Sequence, residues 1–230
     1  MAARSYGQYC GVTRAVELVG ERWALLIVRD LLVGPRRYTD LKQGLPRIPT
    51  NILSARLKEL QDGGVVRRVA LRNCGLVYEL TEHGRSLEPV ILALSRWGLE
   101  AADQVEPEEV VTADALTIAL RAAFRSDEAR SLPATDYEVL LGAVGLRVQV
   151  DGDDLRITQL APPAPPVGGR MPAGDPDVVL LLSRGLRNAI AWDPTARGLA
   201  EPIAEVLAGD PALLTRFAAT FHAGAPSYVG

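Results

Sequence analysis

Cysteine and histidine are scarce in this sequence of 230 residues, which contains two of each. The cysteines, Cys10 and Cys74, form no CxxC pair, and two thiols cannot build a tetrahedral zinc site unaided. The histidines, His83 and His222, are also distant in sequence and add no metal-binding spacing. We therefore predict no metal and no cofactor, and we interpret both cysteines as reduced thiols.

Long apolar runs are lacking as well. No uninterrupted apolar segment approaches the roughly 20 residues that a membrane-spanning helix needs, and Met1–Tyr6 lacks the apolar core of a signal peptide. The sequence also contains no phosphate-binding glycine loop and no convergent set of acid, base and nucleophile. These absences predict a cytoplasmic protein that contacts no membrane and is not an enzyme.

Charge is distributed unevenly along the chain. Residues 1–98 contain fifteen Lys and Arg against nine Asp and Glu, a net charge of +6, whereas residues 99–230 contain ten against nineteen, a net charge of −9. Such asymmetry predicts two domains with different partners. The basic half suits a polyanion such as DNA, which would repel the acidic half.

The first half shows helical periodicity that is interrupted by one hairpin signal. The predicted elements are helices over Val12–Val19, Glu21–Val33, Asp40–Gly44 with Thr39 as N-cap, and Thr50 to Gly63, strands over Val65–Val69 and Leu76–Leu80, and one closing helix from Thr81 to Trp97. Helix, turn, helix and two-stranded ribbon is the layout of a winged helix-turn-helix.

The second half predicts an α+β domain, with strands grouped between helices. Its predicted elements are helices over Ala113–Phe124, Ser183–Trp192, Gly198–Leu207 and Pro211–His222, strands over Tyr137–Ala143, Leu146–Val150, Leu155–Leu160 and Val178–Ser183, a tight turn at Asp151–Asp154, and a Pro- and Gly-rich loop over Ala161–Gly174. The acidic, proline-containing Glu106–Glu109 predicts a boundary between domains 1–105 and 106–230.

The helix that starts near Thr50 has the two faces that DNA recognition requires. Leu53, Leu57 and Leu60 recur at spacings of three and four and predict a buried stripe, opposite small, polar and basic residues. The candidate DNA contacts on and beside this helix are Pro49, Thr50, Asn51, Ser54, Arg56 and Lys58. Asn51 can pair bidentately with adenine, and Arg56 or Lys58 can reach guanine or phosphate. A solvated surface is the alternative for this face, and an internal ion pair is the alternative for Arg56.

Further arginines flank this helix in sequence. Arg36, Arg37 and Arg47 come just before it and are predicted phosphate clamps. Arg72, at the tip of the hairpin, is predicted to enter a flanking minor groove.

Taken together, these segments resemble the HxlR-type family of bacterial winged-helix regulators. The matching stretches are Cys10, Val19–Leu31, Gly34–Leu41, Ile48–Leu60, Gly63–Arg68, Tyr78–Leu87 and Trp97–Gly98. The resemblance implies a homodimeric, sequence-specific repressor or activator in which the first and last helices of the domain form the dimer interface. Candidate interface residues, for which ordinary core is the alternative, are Val12, Val16, Leu87, Val90, Ile91, Leu94 and Trp97. The hairpin tip, Arg72–Gly75, lacks the proline usual in the family.

The same resemblance gives Cys10 the position of a cysteine that some family members use to sense oxidants or electrophiles. A sensing thiol must be accessible and activated, and Arg14, one helical turn further on, would lower the pKa of Cys10. Thiol-based sensing is therefore an alternative function, and an incidental thiol is the competing interpretation.

The second half resembles the sterol-carrier-protein-like fold in its segment order and in Asp177–Leu182, which precedes two predicted helices separated by Gly209–Leu214. That resemblance implies an apolar pocket, for which the candidate residues are Phe124, Trp192, Phe217 and Phe221; core or dimer contact is the alternative. We predict a homodimeric regulator that binds double-stranded DNA and is tuned by an apolar small molecule. A lipid carrier with a non-regulatory winged helix, or a winged helix used for protein contact, are the alternatives.

Overall fold

The computed structural model of the chain describes residues 5–72, 75–101, 110–160, 174–182 and 204–222. The chain divides into two compact units, Met1–Ile91 and Leu92–Gly230. The division falls inside a helix, upstream of the predicted boundary between residues 105 and 106. The predicted acidic joint, Glu106–Glu109, lies outside the described residues.

The first unit has the predicted order of helices followed by a hairpin. Its elements are α1 Gly11–Val19, α2 Arg22–Val33, α3 Tyr38–Gly44, α4 Thr50–Asp62, β1 Val66–Leu71, β2 Gly75–Leu80, α5 Glu82–Arg85 and the start of α6 Glu88–Ala101. The strands pair antiparallel, with Val66 opposite Leu80 and Leu71 opposite Gly75. The winged helix-turn-helix prediction is confirmed.

The core of the first unit is built on α2 and α4. In α2, Ala24, Ile27 and Leu31 recur at spacings of three and four and are buried. In α4 the buried residues are Leu53, Leu57 and Leu60. Each buried leucine stabilises the fold by about 1.5–3 kcal/mol relative to an exposed one, so this stripe fixes which side of α4 faces inward.

Two predicted helix limits in this unit are wrong. The N-cap of α3 is Arg37, not Thr39, because the Asp40 carboxylate accepts a hydrogen bond from the Arg37 amide at 2.9 Å and so starts the helix at Tyr38. The closing helix is not continuous from Thr81 to Trp97. It is divided into α5 and α6, since Pro89 has no amide hydrogen and its ring would clash with the preceding turn of a continuous helix.

The second unit is an α+β domain, as predicted. Besides the end of α6, its elements are α7 Ala113–Ala123, α8 Ser126–Ala129, β3 Thr135–Leu141, β4 Val144–Asp151, β5 Asp154–Gln159, β6 Val178–Leu182, β7 Ala204–Gly209 and α9 Ala212–Thr220. The strands form one sheet in the order β5-β4-β3-β6-β7, in which β3 and β6 run parallel and the other pairs are antiparallel.

Aromatic rings occupy the core of the second unit. The ring centroid of Phe217 lies 5.3 Å from that of Tyr137 and 4.8 Å from that of Phe221, and the centroids of Phe124 and Phe221 are 5.8 Å apart. Phe124, Phe217 and Phe221 are three of the four predicted pocket residues, and this packing favours the alternative in which they fill a core. The fourth, Trp192, lies outside the described residues.

The predicted helix over Gly198–Leu207 is wrong where the structure describes it. Ala204–Gly209 is instead the strand β7, which pairs antiparallel with β6 so that Leu180 lies opposite Val206. Pairing with a distant strand overrides local composition here. The predicted helix Ser183–Trp192 and nearly all of the predicted loop Ala161–Gly174 lie outside the described residues.

Gly84 offers a test of the packing between α5 and the hairpin. It is buried, and a Cβ at this position would collide with the carbonyl oxygen of Val65. We expect Gly84→Ala to lower the free energy of unfolding by about 1–3 kcal/mol, the usual cost of overpacking. In the matched control Gly98→Ala, an added Cβ meets nothing within 4 Å, and a helical alanine should be neutral or stabilise by about 0.5–1 kcal/mol. Urea unfolding of both variants measures the difference; equal stabilities would contradict this packing.

Candidate nucleic-acid interface

The exposed face of α4 carries most of the predicted DNA contacts. Pro49 precedes the helix as its N-cap with a φ of −65°, and α4 then runs from Thr50 to Asp62. The residues exposed on its outer side are Thr50, Asn51, Ser54, Ala55 and Lys58. The buried leucine stripe therefore leaves a polar side of small and basic residues, which is the surface that a helix needs to enter a major groove.

The turn between α3 and α4 is held by hydrogen bonds to its own backbone. The Ile48 amide donates to the Leu45 carbonyl at 3.0 Å, and Lys42 Nζ donates to the Ile48 carbonyl oxygen at 2.7 Å. Ile48 itself is buried, whereas Arg47 beside it is exposed. The turn thus fixes where α4 starts and keeps Arg47 on the surface.

Tyr38, at the start of α3, links that helix to the first turn of α4. Its hydroxyl oxygen lies 3.0 Å from the Thr50 carbonyl oxygen and 3.1 Å from Ser54 Oγ. Tyr38 was not among the predicted DNA contacts. No local pattern would have found it, because its partners lie twelve and sixteen residues further along the chain.

Arg56 forms an internal ion pair, which was the alternative to its predicted contact with DNA. Its Nη1 lies 2.5 Å from Glu59 Oε2 and 3.9 Å from Glu21 Oε1, and its side chain is only 19% exposed. The guanidinium of Arg56 is therefore paired with carboxylates of the first unit, whereas Lys58 is exposed on the same helix.

The prediction of a phosphate clamp at Arg36 is wrong. Arg36 is only 3% exposed, because its backbone pairs with Tyr78 of β2 through N–O distances of 3.0 and 2.7 Å and draws this segment against the hairpin. A buried guanidinium cannot reach a phosphate. Arg37, the next residue, is exposed.

The hairpin presents several arginines. Arg72 is exposed at the end of β1, while Asn73 and Cys74 at the predicted tip lie outside the described residues. Arg67 pairs with Glu79 across the two strands at 2.6 Å, and the guanidinium of Arg68 lies 5.9 Å from the centroid of the Tyr78 ring. Arg67 and Arg68 were not among the predicted contacts.

Cys10 is exposed and occupies the N-cap of α1. The backbone amides of Thr13 and Val12, at the start of the helix, lower the pKa of the Cys10 thiol below its ordinary value, with the Thr13 hydroxyl contributing further. Arg14, the predicted cause, instead pairs with Glu17 at 3.3 Å. The thiol is therefore activated by the helix start and not by the arginine.

The candidate dimer residues divide into exposed and buried sets. Trp97 is 67% exposed, whereas Ile91 is only 5% exposed and belongs to the core, so its assignment to a surface is wrong. Leu87 is partly buried. The exposed members of the set are Val12, Val16, Val90, Leu94 and Trp97.

The second unit contains a cavity of about 290 Å³ that is lined mainly by polar and charged residues. Asp136, Asp177 and Arg156 are among its lining residues. Asp136 already accepts hydrogen bonds from Arg147 and Gln149. This cavity therefore differs in chemistry from the apolar pocket that the aromatic residues predicted.

The described ranges contain no group of three His, Cys, Asp or Glu side chains arranged to hold a metal ion. Within the same ranges, no helix has both the length and the apolar character needed to cross a membrane.

Comparison with known proteins places the similarity in the first part of the chain. Residues 18–106 match the HxlR-like helix-turn-helix family. The chain is 37% identical over 92 residues to YvaP of Bacillus subtilis (strain 168), named as an uncharacterised HTH-type transcriptional regulator; the match spans 39% of this chain and 85% of YvaP. It is 45% identical over 91 residues to the HTH-type transcriptional regulator Rv3095 of Mycobacterium tuberculosis (strain ATCC 25618 / H37Rv), spanning 39% of this chain and 57% of Rv3095.

Among solved structures, the reduced form of the transcriptional regulator YodB from B. subtilis is 31% identical, with a TM-score of 0.37, and the match covers 42% of this chain and 97% of YodB. The identity to YvaP, over most of its length, agrees with the match of residues 18–106 to the family. The chain therefore belongs to the HxlR-like helix-turn-helix family, whose relatives are transcriptional regulators.

Proposed function

We propose that this chain is a sequence-specific DNA-binding regulator that reads the major groove with α4. The observation that carries the proposal is that α4 has two different sides: Leu53, Leu57 and Leu60 are buried, and the opposite side is polar and exposed. A helix held in this way can lie in the groove while its N-terminal residues contact base edges. Membership of a family of transcriptional regulators supports the same function.

Some of the exposed residues can contact base edges, and others can contact phosphates. Asn51 can pair bidentately with adenine N6 and N7, and Lys58 can reach guanine or phosphate. Arg37, the N-cap of α3, and Arg47, in the turn before α4, are exposed, and we expect them to contact phosphates. Thr50 and Pro49 keep the helix start small enough for close approach, and Arg72 extends the contact toward a flanking minor groove.

The proposed regulator is a homodimer. Val12 and Val16 on α1, and Val90, Leu94 and Trp97 on α6, are large apolar side chains exposed to solvent. Burying such residues against a second copy is favourable. A two-fold dimer would present two copies of α4 to half-sites about one helical turn apart.

A second candidate function is thiol-based sensing through Cys10. The exposed thiol and its lowered pKa meet the two requirements of accessibility and activation. The two functions are compatible, because oxidation or alkylation at α1 would alter a helix proposed for the dimer.

The proposed tuning by an apolar small molecule has less support from the second unit. Phe124, Phe217 and Phe221 pack in its core, and the described cavity is lined mainly by polar and charged residues. The sterol-carrier-like fold stays a prediction, and the lipid-carrier and protein-contact alternatives would be favoured by a purified chain that binds no DNA.

Removal of the Asn51 side chain tests the recognition helix. We expect Asn51→Ala to weaken binding to a selected operator by about 1–3 kcal/mol and to relax base preference at one position, because a bidentate adenine contact is lost. The matched control is Gln61→Ala, which removes an exposed amide near the other end of α4 and should leave binding unchanged. Fluorescence anisotropy with operator duplexes measures both; normal operator binding by Asn51→Ala would sink the assignment.

Arg37 tests the phosphate contacts. We expect Arg37→Ala to weaken binding to all DNA sequences alike and to reduce the slope of log affinity against log salt by about 0.9, the value for one phosphate contact. Arg130→Ala, which removes an exposed arginine of the second unit, is the control and should change neither quantity. A loss restricted to one operator sequence would show instead that Arg37 contacts a base.

Cys10 gives a prediction with a definite pH dependence. Because its pKa is lowered, the reactive thiolate persists to lower pH than for an ordinary cysteine, and the alkylation rate should fall at a lower pH than it does for an ordinary thiol. Comparing wild type with Cys10→Ser, in which Cys74 remains, isolates this thiol in a rate measurement with iodoacetamide. If sensing operates, oxidant changes the operator affinity of the wild type and leaves that of Cys10→Ser unchanged; an insensitive wild type removes the sensing proposal.

A further inference from the structure

The hydroxyl of Tyr38 is shared between two atoms of the recognition helix. It lies 3.0 Å from the Thr50 carbonyl oxygen and 3.1 Å from Ser54 Oγ. The backbone of Tyr38 is fixed by its place as the first residue of α3, since the Asp40 carboxylate holds the Arg37 amide just before it. Tyr38 is half-buried, whereas Ser54 is exposed on the outer side of α4.

One arrangement of the protons gives each of the two short contacts of Tyr38 a hydrogen of its own. A tyrosine hydroxyl carries a single proton, and a carbonyl oxygen can only accept. Tyr38 therefore donates its proton to the Thr50 carbonyl. The contact between Tyr38 and Ser54 then needs a proton from the serine, because two hydroxyl oxygens 3.1 Å apart without one repel each other.

We propose that Tyr38 makes Ser54 a hydrogen-bond acceptor toward DNA, so that this position of α4 selects a base with an exocyclic amino group. The inference rests on the proposed function, because it assumes that the outer side of α4 faces the major groove. Tyr38 is a positioning residue in this arrangement: it acts on the base through Ser54 and contacts no DNA itself.

The chemistry of the major groove turns this arrangement into specificity. Adenine N6 and cytosine N4 present donors there, whereas guanine presents N7 and O6 and thymine presents O4, all of which are acceptors. A serine that rotates freely accepts from the first pair or donates to the second, and therefore discriminates little. A serine that already donates its hydrogen bond to Tyr38 can only accept one from the base. Adenine or cytosine is therefore favoured on the strand that Ser54 contacts.

The position of Ser54 along α4 suits such a contact. It comes one helical turn after Asn51, and both are exposed. The first turns of a recognition helix are the part that reaches base edges. The two residues would therefore address neighbouring bases, Asn51 as donor and acceptor together and Ser54 as acceptor alone.

The test begins with operator selection by the full wild-type chain from a pool of random duplexes. Ser54→Ala, on the exposed side of the helix, then identifies the base whose preference depends on Ser54. We expect that base to be adenine or cytosine, preferred roughly threefold to tenfold over guanine or thymine, the range that one hydrogen bond supplies. Replacing it with purine or 2-pyrimidinone, which lack the amino group, should cost the wild type the same factor and cost Ser54→Ala nothing.

Tyr38→Phe removes the hydroxyl and leaves the ring. We expect this variant to lose the preference for an amino group, because Ser54 regains a proton that it can donate to guanine or thymine. In the Ser54→Ala background the same change should leave base preference unaltered, which a merely structural effect of Tyr38 would not do. Tyr6→Phe, which removes the hydroxyl of an exposed tyrosine outside α3 and α4, is the control and should bind as wild type does.

Three results would overturn the inference while leaving the proposed function intact. The first is a Ser54-dependent preference for guanine or thymine in the wild type. The second is a Tyr38→Phe variant that weakens every duplex by one factor without changing base preference. The third is insensitivity of the wild type to loss of the base amino group, which is decisive even if Tyr38→Phe fails to fold. Selection of no sequence by the wild type would overturn the proposed function and, with it, this inference.

Discussion

The structure of the first unit depends on the burial of a single leucine stripe on α4. Successive residues of a helix are turned by about 100° about its axis, so a rotation by one residue would expose Leu53, Leu57 and Leu60 and drive polar residues into the core. Each exposed leucine would cost about 1.5–3 kcal/mol, and the buried polar groups would add their own desolvation. Apolar burial, and not any polar contact, therefore decides that Asn51 and Ser54 face outward.

This constraint also explains which parts of the fold were predictable. A repeat of three and four residues is a local property, so α2 and α4 can be read from the sequence. Contacts between distant segments leave no such trace. Arg36 and Arg37 are identical neighbours, yet Arg36 is buried because its backbone pairs with β2. β7 forms for the same kind of reason, since its partner β6 decides its conformation.

Exposure on the recognition helix is not the same as availability to DNA. The sequence identifies the polar side of α4 but not the internal bonds that its members make. Arg56 lies on that helix, yet its pairing with Glu59 commits the guanidinium to the protein. Ser54 is exposed, but its Oγ lies 3.1 Å from the Tyr38 hydroxyl, to which we propose that it donates its hydrogen bond. The candidate site is therefore smaller and chemically more definite than the sequence predicts, because neighbouring side chains have already used part of its hydrogen-bonding capacity.

This distinction separates affinity from specificity in the proposed function. Phosphate contacts by Arg37 and Arg47 would strengthen binding to any duplex, since every base pair carries the same phosphates. Sequence is then read mainly by the exposed groups of α4, and a group discriminates best between bases when its donors and acceptors are fixed before binding. An amide such as that of Asn51 has a built-in polarity, whereas a hydroxyl rotates and accepts either partner. A hydroxyl becomes selective when a second residue accepts its hydrogen bond and leaves it only as an acceptor. We propose that Tyr38 has this role toward Ser54.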